Sequence, residues 1–239
     1  MILRIGTSGF SYKEWKGSFY PEDLPQSKML SYYGERFSTV EINNTFYRMP
    51  TEKSLSAWTH EVPPSFRFAL KAPQRITHQK KLADAGEDAA FLFKAAGALG
   101  ERLGPVLFQL PPYLKADQDR LSGFLASMPR DPLIAFEFRH ASWDDSGTTD
   151  ILTDHEVAHC IADTDEKPIE SMPRATAPWG YLRLRRVEYG DDELARWVRR
   201  IADQPWREAY VFFKHEDEGK GPAFAARFSE LAAQAGLEV

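Results

Sequence analysis

The stretch Ala135-Phe136-Glu137-Phe138-Arg139-His140 brings an acid, a guanidinium and an imidazole together within a few residues. As a strand, its period of two puts Phe136 and Phe138 on one face and Glu137 and Arg139 on the other, with His140 just past the end. A carboxylate and an imidazole can move protons near neutral pH, and a guanidinium can grip a phosphate or carboxylate through two parallel hydrogen bonds. The same groups can equally form an ion pair that lines a core.

Further groups of this kind recur at the ends of other apolar runs. They are Glu41 and Asn43, Lys71, Gln109, Asp163, Arg183 and Arg185, then Lys214 and His215, of which one or the other must point inward. Glu41 and Glu137 are the acid/base candidates, because Lys71 and Arg139 can hold one ionised while burial raises the other. Lys71 can form a Schiff base if desolvated, with ion pairing as the alternative, and His140 can shuttle protons. Asn43, Gln109, Arg139, Asp163, Arg183, Arg185 and Lys214 or His215 are candidates for holding substrate. With Arg4, the inward cations are Arg4, Lys71, Arg139, Arg183 and Arg185, against the carboxylates Glu41, Glu137 and Asp163. That excess points to an anionic ligand, since unpaired buried charge is costly. No His-x-His or His-Glu-x-x-His spacing supports a metal, and no cofactor is specified.

The elements that must position these groups are short strands alternating with helical segments. Strands are expected at Ile2 to Gly6, Thr39 to Asn43, Phe66 to Lys71, Val106 to Leu110, the Glu137 stretch, Val157 to Asp163, Trp179 to Arg185 and Glu208 to Phe213. Between them lie amphipathic runs such as Leu121, Phe124, Leu125 and Met128. Thr51, Asp117 and Asp191 are expected N-caps, and Gly236 a C-terminal stop. The run Asp165 to Pro178 has three prolines and no helical period, so a loop replaces the helix after strand six. Eight strands in this alternation predict a single parallel (β/α)8 TIM-type barrel spanning residues 1–239. An open doubly wound sheet is disfavoured, because no G-x-G-x-x-G follows the first strand.

Composition narrows the function. A 43% hydrophobic, 13% aromatic chain of 239 residues can fill such a core. A net charge of −5 weighs against holding nucleic acid by overall charge, while leaving room for a local basic pocket. Cys160 is the single cysteine and sits in an apolar run, where a buried hydrophobe is the expected role. No apolar run is long enough for a signal peptide or a membrane span, so a cytoplasmic setting is expected.

Several motifs carry a family resemblance: Gly6-Thr7-Ser8-Gly9-Phe10 with Trp15, Gly17 and Phe19-Tyr20-Pro21; Val40-Glu41-Ile42-Asn43-Asn44-Thr45-Phe46-Tyr47; Ala69-Leu70-Lys71 with Ile76-Thr77-His78; Gly104-Pro105 with Gln109-Leu110-Pro111-Pro112; and Phe136-Glu137-Phe138-Arg139-His140 with Trp143. In this order the chain resembles the YecE-like family, the domain of unknown function numbered 72. The resemblance implies a TIM-type barrel and supplies no reaction. It also leads one to expect Arg-x-His-Gly after strand seven and asparagines after strand eight. Here the chain reads Arg183-Leu184-Arg185-Arg186 and Lys214-His215-Glu216, which adds cationic or titratable groups.

The leading expectation is an enzyme using acid/base chemistry on a small phosphate- or carboxylate-bearing substrate. Nucleic-acid binding or processing is an alternative, in which Phe10, Tyr12, Trp15, Phe46, Tyr47 and Trp143 stack on bases rather than anchor loops. A non-catalytic binding or regulatory barrel is another.

Overall fold

A computed structural model describes residues 1–170, 172–214 and 219–239. Its strands are β1 (Ile2–Thr7), β2 (Thr39–Ile42), β3 (Arg67–Lys71), β4 (Leu103–Gln109), β5 (Ile134–Glu137), β6 (Ala158–His159), β7 (Ile161–Asp163), β8 (Trp179–Leu184) and β9 (Glu208–Phe213). The helices are α1 (Met29–Gly34), α2 (Asn44–Tyr47), α3 (Glu52–Thr59), α4 (Gly86–Ala96), α5 (Gln118–Ala126), α6 (Ser146–Asp154), α7 (Asp191–Ala202) and α8 (Lys220–Gln234). All strand pairings within the sheets are parallel, in two sheets ordered β1-β9-β8-β7 and β2-β3-β4-β5-β6. The fold is therefore α/β, with the side-chain-bearing ends of the strands collected on one side.

The strand expected over Val157 to Asp163 is divided. Ala158 and His159 pair with β5, whereas Ile161 to Asp163 pair with β8. Cys160 is the hand-over point, its N–H still donating to the Phe136 carbonyl at 2.8 Å. At the other junction, Ser8 bridges Glu41 in parallel fashion and the Gly9 N–H donates to the Glu41 carbonyl at 2.8 Å. Tyr33 of α1 ties the same two segments: its hydroxyl donates to the Thr39 carbonyl at 3.1 Å and accepts from the Thr7 N–H at 2.8 Å.

Alternation sorts the side chains into two layers. Ile5, Val40, Ile42, Leu70, Phe108, Phe136, Leu182 and Leu184 pack in the larger cluster beneath the helices. The second cluster holds Ala69, Leu107, Ala135, Ala158, Cys160, Trp179, Tyr181, Tyr210 and Phe212. It is lopsided in a useful way. Aromatic rings from β8 and β9 fill the space that the alanines of β3, β5 and β6 leave, with Tyr181 and Phe212 centroids 5.2 Å apart. Close packing of this sort makes single-group volume changes costly.

Helix ends follow local chemistry. Thr51 Oγ1 accepts from the Ser54 N–H at 3.2 Å and Asp117 Oδ1 from the Arg120 N–H at 3.0 Å, as capping residues should. Asp191 departs from expectation: Gly190 is the cap, and Glu193 reaches back to accept from its N–H at 3.0 Å. Asp191 is thereby released to pair with Arg227 of α8 at 2.7 Å. The described residues between β7 and β8 form no helix, in line with the prolines there. Among the described residues no helix is long and apolar enough to cross a membrane.

Gly6 lets β1 approach β2 closely. A Cβ at this position would lie 2.0 Å from the Thr39 carbonyl oxygen, a backbone atom that cannot swing away. The Gly6→Ala variant is expected to lose about 3 kcal/mol by urea unfolding, the upper end of ordinary overpacking costs. Wild-type stability in that variant would contradict the close approach.

Candidate functional site

The groups that converge at the strand ends are arranged around Arg183, the fifth residue of β8 and only 2% exposed. Its Nη1 donates to Glu137 Oε2 at 2.6 Å and its Nη2 to Glu41 Oε1 at 2.9 Å. One guanidinium thus bridges two carboxylates that belong to the other sheet. Its Nε is buried without a hydrogen-bond partner. Each carboxylate has further donors. Glu41 accepts from the Ser8 hydroxyl at 2.9 Å, the Tyr181 hydroxyl at 2.7 Å and Asn43 Nδ2 at 3.2 Å. Glu137 Oε1 accepts from Gln109 Nε2 at 2.7 Å, a contact set up by the register that pairs Gln109 with Glu137.

Burial alone would raise both carboxylates, but charge and hydrogen bonding overcome it. For Glu41 the Arg183 guanidinium, the Tyr181 and Ser8 hydroxyls and Lys71 together bring the pKa down to about 2. For Glu137, Arg183 and Gln109 outweigh burial and hold the carboxyl below its ordinary value. Both groups are therefore ionised at neutral pH, and neither is poised to give up a proton.

Lys71 stands differently. Its Nζ lies over the Phe46 ring, 4.3 Å from the centroid, and no salt bridge to Glu41 or Glu137 forms within 4.0 Å. Desolvation first, then the Arg183 charge, pushes its pKa down to about 8, against the opposing pull of the two glutamates. It lines a cavity of about 280 Å³ with Ser8, Asn43, Arg183, Arg185 and Lys214, and with Tyr12, Asn44, Phe46 and Tyr47 at the rim. Arg185 is half-buried and its guanidinium makes no hydrogen bond or ion pair to a described residue. His78 stands edge-on to Phe46 with centroids 4.9 Å apart, and burial, Lys71 and Arg139 lower its pKa, which favours the neutral ring.

Other sequence candidates lie elsewhere. Asp163 is buried but faces away from the cluster, accepting from the Tyr189 hydroxyl and the Ile169 N–H, each at 2.9 Å. The reason is parity: Ala158 and Cys160 belong to the inner layer, so Asp163 shares the outer face with Ile161 and with its register partner Leu184. Arg139 is exposed, because β5 ends at Glu137 and strand alternation no longer aims it. With His140 it lines a separate cavity of about 410 Å³. His140 is committed to the chain itself, its Nδ1 accepting from the Ser142 N–H at 3.1 Å. Arg4 has the right parity but the wrong end of its strand; it pairs with Glu208 and donates to the Ser65 carbonyl at 2.9 Å. His215 lies outside the described residues. Trp15 and Trp143 are buried anchors rather than rim platforms, Trp143 stacking on Phe138 at 4.7 Å.

Residue type and spacing do not mark Ser8 and Tyr181 as functional groups, yet both bind Glu41. The available signal was parity, since Tyr181 stands two residues before Arg183 on the same strand face. Among the described residues no group of three or more His, Cys, Asp or Glu is placed to hold a metal ion.

A parallel α/β fold with a buried Glu–Arg–Glu bridge beside a cationic cavity defines the class of protein. The chain belongs to the family described as "Protein of unknown function DUF72", whose model matches residues 4–239. It is 25% identical over 232 residues to the UPF0759 protein YunF of Bacillus subtilis (strain 168), covering 91% of this chain and 80% of that protein. It is 29% identical over 229 residues to the UPF0759 protein YecE of Escherichia coli (strain K12), covering 81% of each. Among solved structures it resembles the DUF72 family protein TM1631 of Thermotoga maritima MSB8, with TM-score 0.86, 30% identity and coverage of 98% of this chain and 100% of the other. The DUF72 family protein EF0366 of Enterococcus faecalis V583 shares the fold at TM-score 0.82 and 19% identity, with 97% and 96% covered.

Because the Glu–Arg–Glu bridge is buried, removing one partner strands the other. Glu137→Gln is expected to cost about 3 to 5 kcal/mol in urea unfolding. The pH dependence has a definite sign: a carboxyl with a depressed folded pKa contributes stability above its ordinary value of 4.5 and loses it as pH falls toward about 2. Wild-type stability should therefore fall more steeply over that acid range than that of Glu41→Gln. Equal slopes would remove Glu41 from the ionised bridge.

Proposed function

We propose that the two sheets are halves of one (β/α)8 barrel forming a single domain, and that its mouth is the active site of an enzyme acting on a small anionic substrate. The Ser8–Glu41 bridge between β1 and β2, and the shared run of β6 and β7, support the closed arrangement. Barrel enzymes place their chemistry at strand C-termini, where Glu41, Lys71, Glu137 and Arg183 stand.

The observation that carries the functional reading is how the charges divide. Arg183 engages both buried carboxylates, so Lys71 and Arg185 face the cavity without a carboxylate of their own. A phosphate or carboxylate entering there meets the positive charge of Arg185, Lys71 and Lys214. The catalytic roles divide differently from the sequence expectation. Glu41 and Glu137, held ionised, position Arg183, while Lys71 is the group that can exchange a proton near pH 8. Asn43 and Ser8 can hold neutral oxygens of the substrate, since both line the same cavity.

Sulfate tests this reading, because its charge does not change across the relevant pH range. A ligand that binds only the folded protein stabilises it by RT ln(1 + [L]/Kd), about 2.7 kcal/mol at a hundredfold excess over Kd. Sulfate also stabilises proteins by exclusion, so the comparison is with Arg185→Ala. The wild type should gain more than the variant, and the difference should shrink as pH rises through about 8 and Lys71 loses its proton. Equal gains in both proteins at every pH would overturn the anion site.

A further inference from the structure

We propose that Lys71 is an imine-forming nucleophile, and that the substrate is a carbonyl compound carrying a carboxylate or phosphate. This deepens the anion-site reading and rests on it. An amine attacks a carbonyl only when its lone pair is free and the carbonyl is held in front of it. The surroundings of Lys71 favour both conditions.

The lone pair is freed by the way the surroundings are wired. A lysine beside carboxylates normally pairs with one of them, as Lys80 does with Asp88 at 2.8 Å. Around Lys71 the two nearby carboxylates are instead saturated by Arg183, Gln109, Tyr181, Ser8 and Asn43. The guanidinium between them cancels part of their negative charge, and the remainder still favours the ammonium form of Lys71. Against that pull stand the half-buried setting and the Arg183 and Arg185 charges, which disfavour a further cation and outweigh the glutamates, while the Phe46 ring favours one. The lowered pKa of about 8 agrees with this geometry. A neighbouring cation beside a desolvated lysine is a known means of activating it.

The carbonyl is held by the same cations. Arg185 lines the cavity with Lys71, so an anionic group docked on it leaves the rest of a small molecule against Nζ. The cavity of about 280 Å³ suits a molecule of a few heavy atoms and a bound water. In the step itself, the nitrogen lone pair forms a bond to the carbonyl carbon. The two amine protons pass to the carbonyl oxygen, the carbon–oxygen bond breaks, and water leaves. The product is a neutral imine, with no oxidant or reductant consumed.

The test uses glyoxylate, a carboxylate-bearing aldehyde, with cyanoborohydride to reduce any imine to a stable secondary amine, followed by peptide mapping of the wild-type protein. Lys71 should be modified roughly a hundredfold faster than an ordinary lysine near pH 8, given a pKa of about 8 against the usual value of about 10.4. Sulfate should slow that modification and leave surface lysines such as Lys53 and Lys94 unaffected. A neutral aldehyde of similar size, glycolaldehyde, should show a smaller preference for Lys71, insensitive to sulfate, because it keeps the free-amine advantage and loses the docking on Arg185. Equal labelling of all lysines, or preference for Lys214, would overturn the inference. If that occurs while sulfate binding still depends on Arg185, the anion reading survives alone; if neither is seen, both fall. The readout is made on the wild type, so it does not depend on whether Lys71→Met folds.

Discussion

The interaction on which the rest depends is the buried bridge from Arg183 to Glu41 and Glu137. Arg183 lies in the sheet containing β1, β7, β8 and β9, while the two glutamates lie in the sheet containing β2 to β6. The bridge therefore crosses between sheets at the strand ends, and the Tyr181 hydroxyl repeats the crossing to Glu41 at 2.7 Å. Below it the contact between sheets is made by side chains of the inner layer, Tyr181, Tyr210 and Phe212 against Ala69 and Ala135. Apolar packing fills that space without aiming anything. The ion bridge gives the strand ends a defined mutual position, because each charge is intolerable without its partners.

That positional role has a chemical consequence. A carboxylate fixed by a guanidinium and by neutral donors, one for Glu137 and three for Glu41, is a poor acid and a weak base. Glu41 and Glu137, the most conspicuous acids in the chain, are spent on architecture. Their neutralisation by Arg183 shapes the field at Lys71, which sits close enough to feel the arginine and both glutamates. The acids that residue type marks for proton transfer are held ionised, and the group with a pKa near neutrality is the lysine.

Much of this was legible from alternation. The outward set of Ile5, Val40, Ile42, Leu70, Phe108, Phe136, Leu182 and Leu184 packs under the helices, and Glu41, Lys71, Gln109, Glu137 and Arg183 gather at one end. What escaped was where alternation starts and stops. Arg139 and His140 lie beyond Glu137, where β5 has ended and loop geometry decides their direction. Asp163 looked inward because polar residues at strand ends were counted as inner. The small pair Ala158 and Cys160 sets the opposite parity, and Tyr189, from the segment after β8, supplies the partner that makes an outward buried acid tolerable. Partners that distant in sequence leave no local trace.

Arg185 is where the family resemblance and the physics meet. A histidine expected at this place would carry charge only below its own pKa, so both the anion grip and the field on Lys71 would vary across physiological pH. An arginine is charged throughout that range: burial and the Arg183 charge lower its pKa, but from a strongly basic ordinary value. The positive end of the cavity is then constant, and Lys71 becomes the group at the mouth whose charge changes near pH 8. Arg183 cannot take over this role, because its two outer nitrogens are already committed to Glu41 and Glu137. The arginines thus divide: Arg183 joins the two sheets, while Arg185, just past the end of β8, lines the cavity with Lys71.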